Sequence, residues 1–185
     1  MPSYLKRMAI AATGLAFAVT ASNAQMVPPG ELPMIHQLVK DVSSERIETD
    51  IRKLVSFGTR HTLSDTKSET RGIGAARRWI FSEFEKISAE CGNCLEVMYI
   101  GDTISGERRI PEPTEVVSVI AIQRGSLDGE RYVAMSGDID SRISDPLNGV
   151  DESPGANDNA SGMAGVIEAA RVLSKHKFAG SIIYM

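Results

Sequence analysis

The sequence lacks the clusters of lysine and arginine that nucleic-acid-binding proteins use to follow a phosphate backbone. The chain has 185 residues, of which 20 are Lys or Arg and 24 are Asp or Glu, so its formal net charge is −4. This mild acidity excludes nucleic acid as an expected partner. The length is sufficient for one domain with a proper core, and a hydrophobic content of 42% is ordinary for a globular protein.

The apolar stretch near the N-terminus is too short to span a bilayer comfortably. It extends from Met8 to Ala21, follows Lys6 and Arg7, and precedes small residues that end at Ala24. This order is typical of a secretory signal peptide, and the short length disfavours the alternative, a retained membrane anchor. We therefore expect residues 1–24 to be cleaved after Ala24, with no stable membrane insertion. The mature chain would be exported, to the periplasm or the extracellular medium if the source is bacterial.

The sequence has only two cysteines, Cys91 and Cys94, which are separated by Gly and Asn. No second pair exists to complete a zinc knuckle. A redox motif is expected after a strand, at the N-terminus of a helix, whereas this pair follows an amphipathic run. We therefore expect a small structural disulfide between Cys91 and Cys94 at a helix end.

Hydrophobic periodicity predicts one α/β domain over residues 45–185, preceded by a leader at residues 25–44 in which Val27 to Gly30 is rich in helix breakers and packs poorly. Apolar residues at helical spacing predict helices over residues 45–57, 70–89 and 159–175. Strand-like runs cover residues 95–100, 116–123, 131–136 and 181–185. The Asp-Gly pair at residues 128–129 favours a hairpin between the second and third strands. The order strand, loop, helix, strand predicts that the third and fourth strands are parallel neighbours.

An acidic stretch separates the third strand from the last helix. The segment from Ser136 to Gly162 contains five aspartates and one glutamate. Ligands of open α/β sheets bind beyond the C-terminal ends of strands, and Asp138 and Asp140 alternate along an extended chain, so both can face the same way. Asp158 falls at the start of the predicted helix, where it could act as an N-cap. Carboxylates gathered at one strand end repel one another unless water or a cation neutralises them, so this stretch is either a solvated connection or a metal site.

The motif from Pro154 to Gly162, PGANDNASG, identifies a resemblance to a known family. Preceded by SGDIDSR and followed by EAARVL, it resembles the di-zinc aminopeptidases of metallopeptidase family twenty-eight. The resemblance is clear over residues 132–185. It implies a three-layer α/β/α fold of the zinc-peptidase (phosphorylase/hydrolase-like) type, with a mixed sheet. Residues 45–185 would be the N-terminal part of that single metallopeptidase domain, truncated at its C-terminus.

The resemblance also implies roles for three aspartates. Asp158 matches the carboxylate that bridges two metal ions, and Asp140 matches the aspartate that orients the site from behind a metal ligand. Asp138 stands where the family normally has a ligand histidine, so it is either a substituted ligand or a sign of lost function. A carboxylate there favours weaker zinc binding or another divalent ion. The expected cofactors are two divalent metal ions, zinc in the family, and the expected substrates are the N-termini of peptides or proteins.

Several residues that the family needs do not occur in the sequence. The general-base glutamate and the later metal ligands follow the next strand in the family, beyond Met185, and His36, His61 and His176 do not stand at the family's ligand position. We therefore expect the N-terminal piece of an exported exopeptidase, inactive by itself. A catalytically inactive peptide-binding or structural module and a calcium-stabilised domain remain as alternatives, although the EF-hand spacing is absent. The sequence indicates no oligomeric state.

Overall fold

The structure, a computed structural model, describes residues 33–185. This part of the chain forms four α-helices, α1 (Pro33–Asp41), α2 (Ser44–Val55), α3 (Gly72–Glu90) and α4 (Ser161–Leu173), with a π-helical turn at Ala156–Ala160. Its four strands are β1 (Leu95–Ile104), β2 (Thr114–Gln123), β3 (Asp128–Met135) and β4 (Gly180–Tyr184). The predicted signal peptide and residues 25–32 of the predicted leader lie outside the described residues. Within residues 33–185 no helix is long and apolar enough to cross a membrane.

The four strands form one mixed sheet in the order β1, β2, β4, β3. β1 pairs with β2 and β2 with β4 in antiparallel fashion, whereas β3 and β4 are parallel. The predicted mixed sheet and the predicted parallel pair are therefore confirmed. This pairing places the C-terminal ends of β3 and β4 at the same edge of the sheet, where the acidic stretch begins.

The predicted hairpin between β2 and β3 is wrong, because β4 lies between these two strands. The backbone amides of Ser126 and Leu127 donate to the carbonyls of Phe178 (2.9 Å) and Ala179 (3.2 Å) instead of closing a turn. The amide of Gly125 also donates to Ser181 Oγ at 2.9 Å. These long-range bonds hold the segment after β2 against the start of β4, so the Asp-Gly pair becomes the beginning of β3.

The helices agree with the predicted ones to within a few residues, with one addition. α2 begins after Ser43, whose side-chain oxygen accepts the amide of Arg46 at 3.2 Å as an N-cap. α1 occupies the predicted leader and has no buried residue. Cys91 and Cys94 form a disulfide directly after α3, with their Cα atoms 5.5 Å apart.

The hydrophobic core lies between the sheet and the pair α3–α4. These two helices contact each other as well as the sheet, so they cover the same face of it. Phe84 of α3, Ile167 of α4 and Tyr184 of β4 are completely buried there. On the opposite face Ile100 of β1 is 52% exposed. The α/β class is therefore confirmed, while the described residues supply the helix layer of one face only.

A group of ion pairs joins α2 to α3 and α4, and we call it the ion-pair cluster. Arg171 donates to Asp50 at 2.5 Å and to Glu83 at 3.0 Å. Glu168 is almost completely buried and accepts hydrogen bonds from the Arg46 guanidinium. Burial alone would raise the pKa of Glu168, but the hydrogen bonds from Arg46 and from the Ser43 amide outweigh it and lower that pKa. Each carboxylate of this cluster thus has an arginine partner.

Candidate functional site

The candidate site begins where β3 ends. The pairing of β3 with β4 continues one step beyond the strands, because Met185 donates to the Met135 carbonyl (2.9 Å) and Gly137 donates to the Met185 carbonyl (2.8 Å). A Cβ atom on Gly137 would lie 2.5 Å from the backbone nitrogen of Met163 in α4. Only glycine permits this approach without displacing the helix. Asp138 therefore leaves the sheet directly beside the first turn of α4.

The three aspartates predicted as site residues, Asp138, Asp140 and Asp158, lie on one cavity. Its volume is about 320 Å³, and His61 and Thr62 form part of its wall. The rest of the wall is formed by Arg109, Ile110, Ser141, Arg142 and Pro146. The structure thus brings together side chains from the strand end, from the turn before α4 and from the segment between α2 and α3.

Two of these aspartates have no hydrogen-bond partner in the described part of the chain. No described residue donates to the carboxylate of Asp138 or Asp158, and both residues are exposed toward solvent and the cavity. Asp140 is half-buried and accepts a hydrogen bond from Thr62 Oγ1 at 3.3 Å. Free carboxylate oxygens are ligands for divalent cations. Among residues 33–185 no three His, Cys, Asp or Glu side chains lie close enough together to hold a metal ion.

Asp158 does not cap α4, which corrects one interpretation of the sequence. The helix begins at Ser161, and the backbone of Asp158 is non-helical, with φ −119° and ψ 94°. Asn159 Oδ1 accepts the amide of Gly162 at 2.8 Å and so satisfies a free donor of the first turn. The predicted start at Asn159 was therefore two residues too early. The carboxylate of Asp158 remains available to the cavity.

Arg60, a buried arginine that was not predicted as a site residue, holds the backbone of the acidic stretch in place. Arg60 is 1% exposed and donates to the carbonyl of Ile139 on one side of the site (3.0 Å). On the other side it donates to Pro154 (2.7 Å) and Gly155 (3.0 Å). Burial lowers its pKa to about 10, and the nearby Asp140 opposes this shift. Arg60 therefore stays cationic at neutral pH and fixes both ends of the carboxylate-bearing stretch.

The neighbours of Arg60 complete this support. The amide of Arg60 donates to Ser141 Oγ (3.0 Å), and the Ser141 hydroxyl donates to the Ser153 carbonyl (2.6 Å). Thr59 forms an isolated parallel bridge with Ser153. Residues 59–62 have no helical or strand periodicity and lie between the predicted helices at residues 45–57 and 70–89. In the structure His61 and Thr62 of this segment line the cavity.

His61 is a further cavity residue that was not predicted. It is 3% exposed, and its Nδ1 accepts the backbone amide of Leu63 at 3.0 Å. Its Nε2 has no hydrogen-bond partner among residues 33–185. Although His61 does not stand at the ligand position of the family motif, the fold places it in the same cavity as the three aspartates.

Comparison with known sequences supports the family. Residues 118–185 match the model of peptidase family M28. A probable zinc metalloprotease of Pyrenophora teres f. teres is 46% identical over 159 residues, which are 86% of this chain and 33% of that protein. One from Pyricularia oryzae is 38% identical over 176 residues, which are 89% of this chain and 35% of that protein. The chain thus spans about a third of the length of the curated relatives it matches.

Comparison with solved structures supports the fold. An aminopeptidase of Legionella pneumophila superposes with a TM-score of 0.59 at 19% identity, covering 93% of this chain and 42% of that chain. A glutaminyl cyclase of Fimbriiglobus ruber gives a TM-score of 0.58 at 16% identity, covering 77% of this chain and 44% of that chain. At such identities the likeness concerns the fold alone. Together with the sequence matches, it confirms the predicted resemblance to metallopeptidase family twenty-eight.

Proposed function

We propose that this chain, which matches peptidase family M28 over residues 118–185, is part of a zinc-dependent exopeptidase that removes N-terminal residues from peptides or proteins. The observation that carries the proposal is the cavity on which Asp138 and Asp158 present carboxylates that accept no hydrogen bond from residues 33–185. The names of the sequence relatives support zinc, and the fold neighbour from Legionella pneumophila supports an aminopeptidase. The signal-peptide pattern of residues 1–24 supports an exported protein.

The donor set on the cavity suits divalent metal ions. Asp158, from the turn before α4, would be shared between two ions, and Asp138, from the strand end, would bind one of them. Asp140, which Thr62 holds at 3.3 Å, would orient this arrangement without being a ligand itself. When bound, the ions supply a Lewis acid for the scissile carbonyl and lower the pKa of a water molecule. The chain itself would hold these carboxylates in position through the hydrogen bonds that Arg60 and Ser141 form with the backbone of the acidic stretch.

Hydrolysis also needs a group that takes the proton of the attacking water. Among residues 33–185 no glutamate lines the cavity, so the described residues provide no side chain of the type that the family uses as general base. We therefore propose that the 185-residue chain binds metal but does not turn over substrate by itself. The complete natural polypeptide that contains this sequence would supply the missing base.

The proposal is tested with that complete polypeptide and aminoacyl-p-nitroanilide substrates. We expect hydrolysis that a chelator abolishes and added zinc restores, and we expect N-acetylated substrates to resist cleavage. Hydrolysis that persists after complete removal of metal would contradict the proposal. Zinc-independent peptide binding without turnover would instead support an inactive peptide-binding module.

A further inference from the structure

The imidazole of His61 is held in one defined protonation pattern. Its Nδ1 lies 3.0 Å from the backbone nitrogen of Leu63 and accepts that amide hydrogen. An imidazole nitrogen that accepts a hydrogen bond carries no proton, so in the neutral ring the proton must be on Nε2. The Leu63 amide thus selects the tautomer in which Nε2 is a hydrogen-bond donor.

His61 is one of the residues that line the carboxylate cavity. His61 is 3% exposed, and it lines the cavity together with Asp138, Asp140 and Asp158. No residue among 33–185 accepts a hydrogen bond from Nε2, and this nitrogen is not among the fully enclosed polar atoms that lack a partner. Nε2 therefore keeps some exposed surface and has no hydrogen-bond partner among the described residues.

This tautomer decides what His61 can recognise. A metal ion needs the lone pair of an unprotonated nitrogen, and Nε2 has none to offer while Nδ1 accepts the Leu63 amide. The N-terminal ammonium group of a peptide is itself only a donor, which suits the free carboxylates of Asp138 and Asp158. The carbonyl oxygen of the scissile bond is the acceptor among the reacting groups of such a substrate.

We infer that His61 is a catalytic residue whose Nε2–H donates a hydrogen bond to the carbonyl oxygen of the scissile peptide bond. This inference rests on the proposed exopeptidase function. The donor is fixed before substrate arrives, because the neighbours Arg60 and Thr62 are bonded to the acidic stretch and the ring is bonded to Leu63. Such a preorganised donor stabilises the negative charge that develops on the oxygen during attack.

Two substitutions separate the donor from the structural bond. In His61→Asn the side-chain oxygen can still accept the Leu63 amide, but nothing replaces the Nε2 donor. In His61→Gln the amide nitrogen reaches toward the position of Nε2 and can still donate. In the complete polypeptide we expect His61→Asn to lower kcat about 100-fold, the effect of losing one donor of this kind, with KM nearly unchanged. His61→Gln should recover part of this loss.

Two readouts that do not depend on turnover accompany the kinetics. Nitrogen-15 NMR of the imidazole in the 185-residue chain should show a protonated Nε2 and an unprotonated Nδ1. Elemental analysis of the complete polypeptide should show the same zinc content in His61→Asn as in the parent. If His61→Asn fails to fold, the parent still provides a test: binding of an aminoboronic acid, whose oxygen imitates the reacting carbonyl, should shift the Nε2 proton resonance.

The possible outcomes distinguish this inference from the proposed function. A His61→Asn variant with parental kcat, an Nδ1-protonated ring, or an Nε2 resonance that ignores the aminoboronic acid would overturn the role of His61. Loss of zinc from His61→Asn would also overturn it, because His61 would then be a metal ligand. A parent polypeptide without zinc-dependent hydrolysis would overturn the proposed function, and the role of His61 with it.

Discussion

Two groups of carboxylates in this molecule differ in whether arginine side chains bind them. In the ion-pair cluster, Asp50, Glu83 and Glu168 are buried or nearly so, and each accepts a hydrogen bond from an arginine. On the cavity beyond β3, Asp138 and Asp158 accept no hydrogen bond from any residue among 33–185. The same fold therefore pairs the carboxylates of the ion-pair cluster with arginines. It leaves the carboxylates of Asp138 and Asp158 without a hydrogen-bond donor among the described residues.

This difference indicates which carboxylates stabilise the fold and which serve a ligand. Neighbouring carboxylates repel each other, and a group without a partner gains nothing in the folded state to offset that repulsion. Arg60 is close enough to influence Asp140, yet its hydrogen bonds go to backbone carbonyls and not to the carboxylates. Arg109 and Arg142 also line the cavity without donating a hydrogen bond to either carboxylate, and under the proposed function a divalent cation would be the direct partner of these carboxylates.

The largest expected effect comes from replacing an open carboxylate. In the complete polypeptide, Asp158→Asn should remove bound zinc and lower kcat/KM by about three orders of magnitude, because a metal ion contributes several kcal/mol to the transition state. In the metal-free forms the free energy of unfolding should differ by less than about 0.5 kcal/mol, since this carboxylate makes no hydrogen bond among the described residues. Elemental analysis, kinetics and urea unfolding measure the three quantities.

Asp145→Asn is the matched control for that variant. Asp145 belongs to the same acidic stretch but does not line the cavity, and its Oδ1 accepts the Leu147 amide at 2.9 Å, a bond that asparagine can keep. We expect parental zinc content and activity. An Asp158→Asn variant that behaves like this control would show that the cavity carboxylates are merely solvated.

The opposite pattern is expected when a paired carboxylate is replaced. Glu168→Gln removes the carboxylate partner of Arg46, whose guanidinium is partly exposed, while Arg171 keeps Asp50 and Glu83. Because the hydrogen bonds to the buried Glu168 are charge-assisted, we expect a loss of about 2 kcal/mol. Urea unfolding should record this loss, while zinc content stays at the parental value. Glu48→Gln, which breaks an ion pair with both partners mainly exposed, should change the free energy of unfolding by less than about 0.5 kcal/mol. Equal losses in the two variants would contradict the structural role of the cluster.

A smaller effect on the free energy of unfolding is expected when the pH is lowered. The pKa of Glu168 lies below its ordinary value of 4.5 in the folded chain, so its stabilising contribution is fully present above pH 4.5. The contribution is lost as the pH falls through the lowered folded-state pKa, where the carboxylate becomes protonated in both states. The difference in unfolding free energy between parent and Glu168→Gln should therefore shrink below pH 4.5. A difference that stays constant down to pH 3 or grows would refute this assignment.

The sequence predicted those parts of the fold that depend on local pattern. The parallel pair β3–β4 followed from strand, loop, helix and strand in succession, and the gathering of Asp138, Asp140 and Asp158 followed from the family motif. The predicted hairpin was wrong because the amides of Ser126 and Leu127 donate to backbone carbonyls at and next to Ala179. No local sequence pattern indicates these long-range hydrogen bonds.

The residues around the cavity that the sequence did not predict, namely Arg60, His61 and Thr62, have the same explanation. Thr62 and Asp140 are 78 positions apart in the sequence and meet only through the fold. His61 and Arg60 lie in a segment without periodicity, so their contacts depend on where α2 ends and α3 begins. The start of α4 was misplaced because the side chain of Asn159, and not that of Asp158, accepts the amide of the first turn. Tertiary contacts therefore place Arg60, His61 and Thr62, whereas a local side-chain bond sets the start of α4.

The most direct test of the open carboxylates is to locate zinc in crystals of the complete polypeptide by anomalous scattering at the zinc absorption edge. We predict anomalous density in the cavity between Asp138 and Asp158, and none at the ion-pair cluster, where the arginines already neutralise the carboxylates. Crystals of zinc-loaded protein that show no density in the cavity, or that bind zinc only elsewhere, would contradict the account.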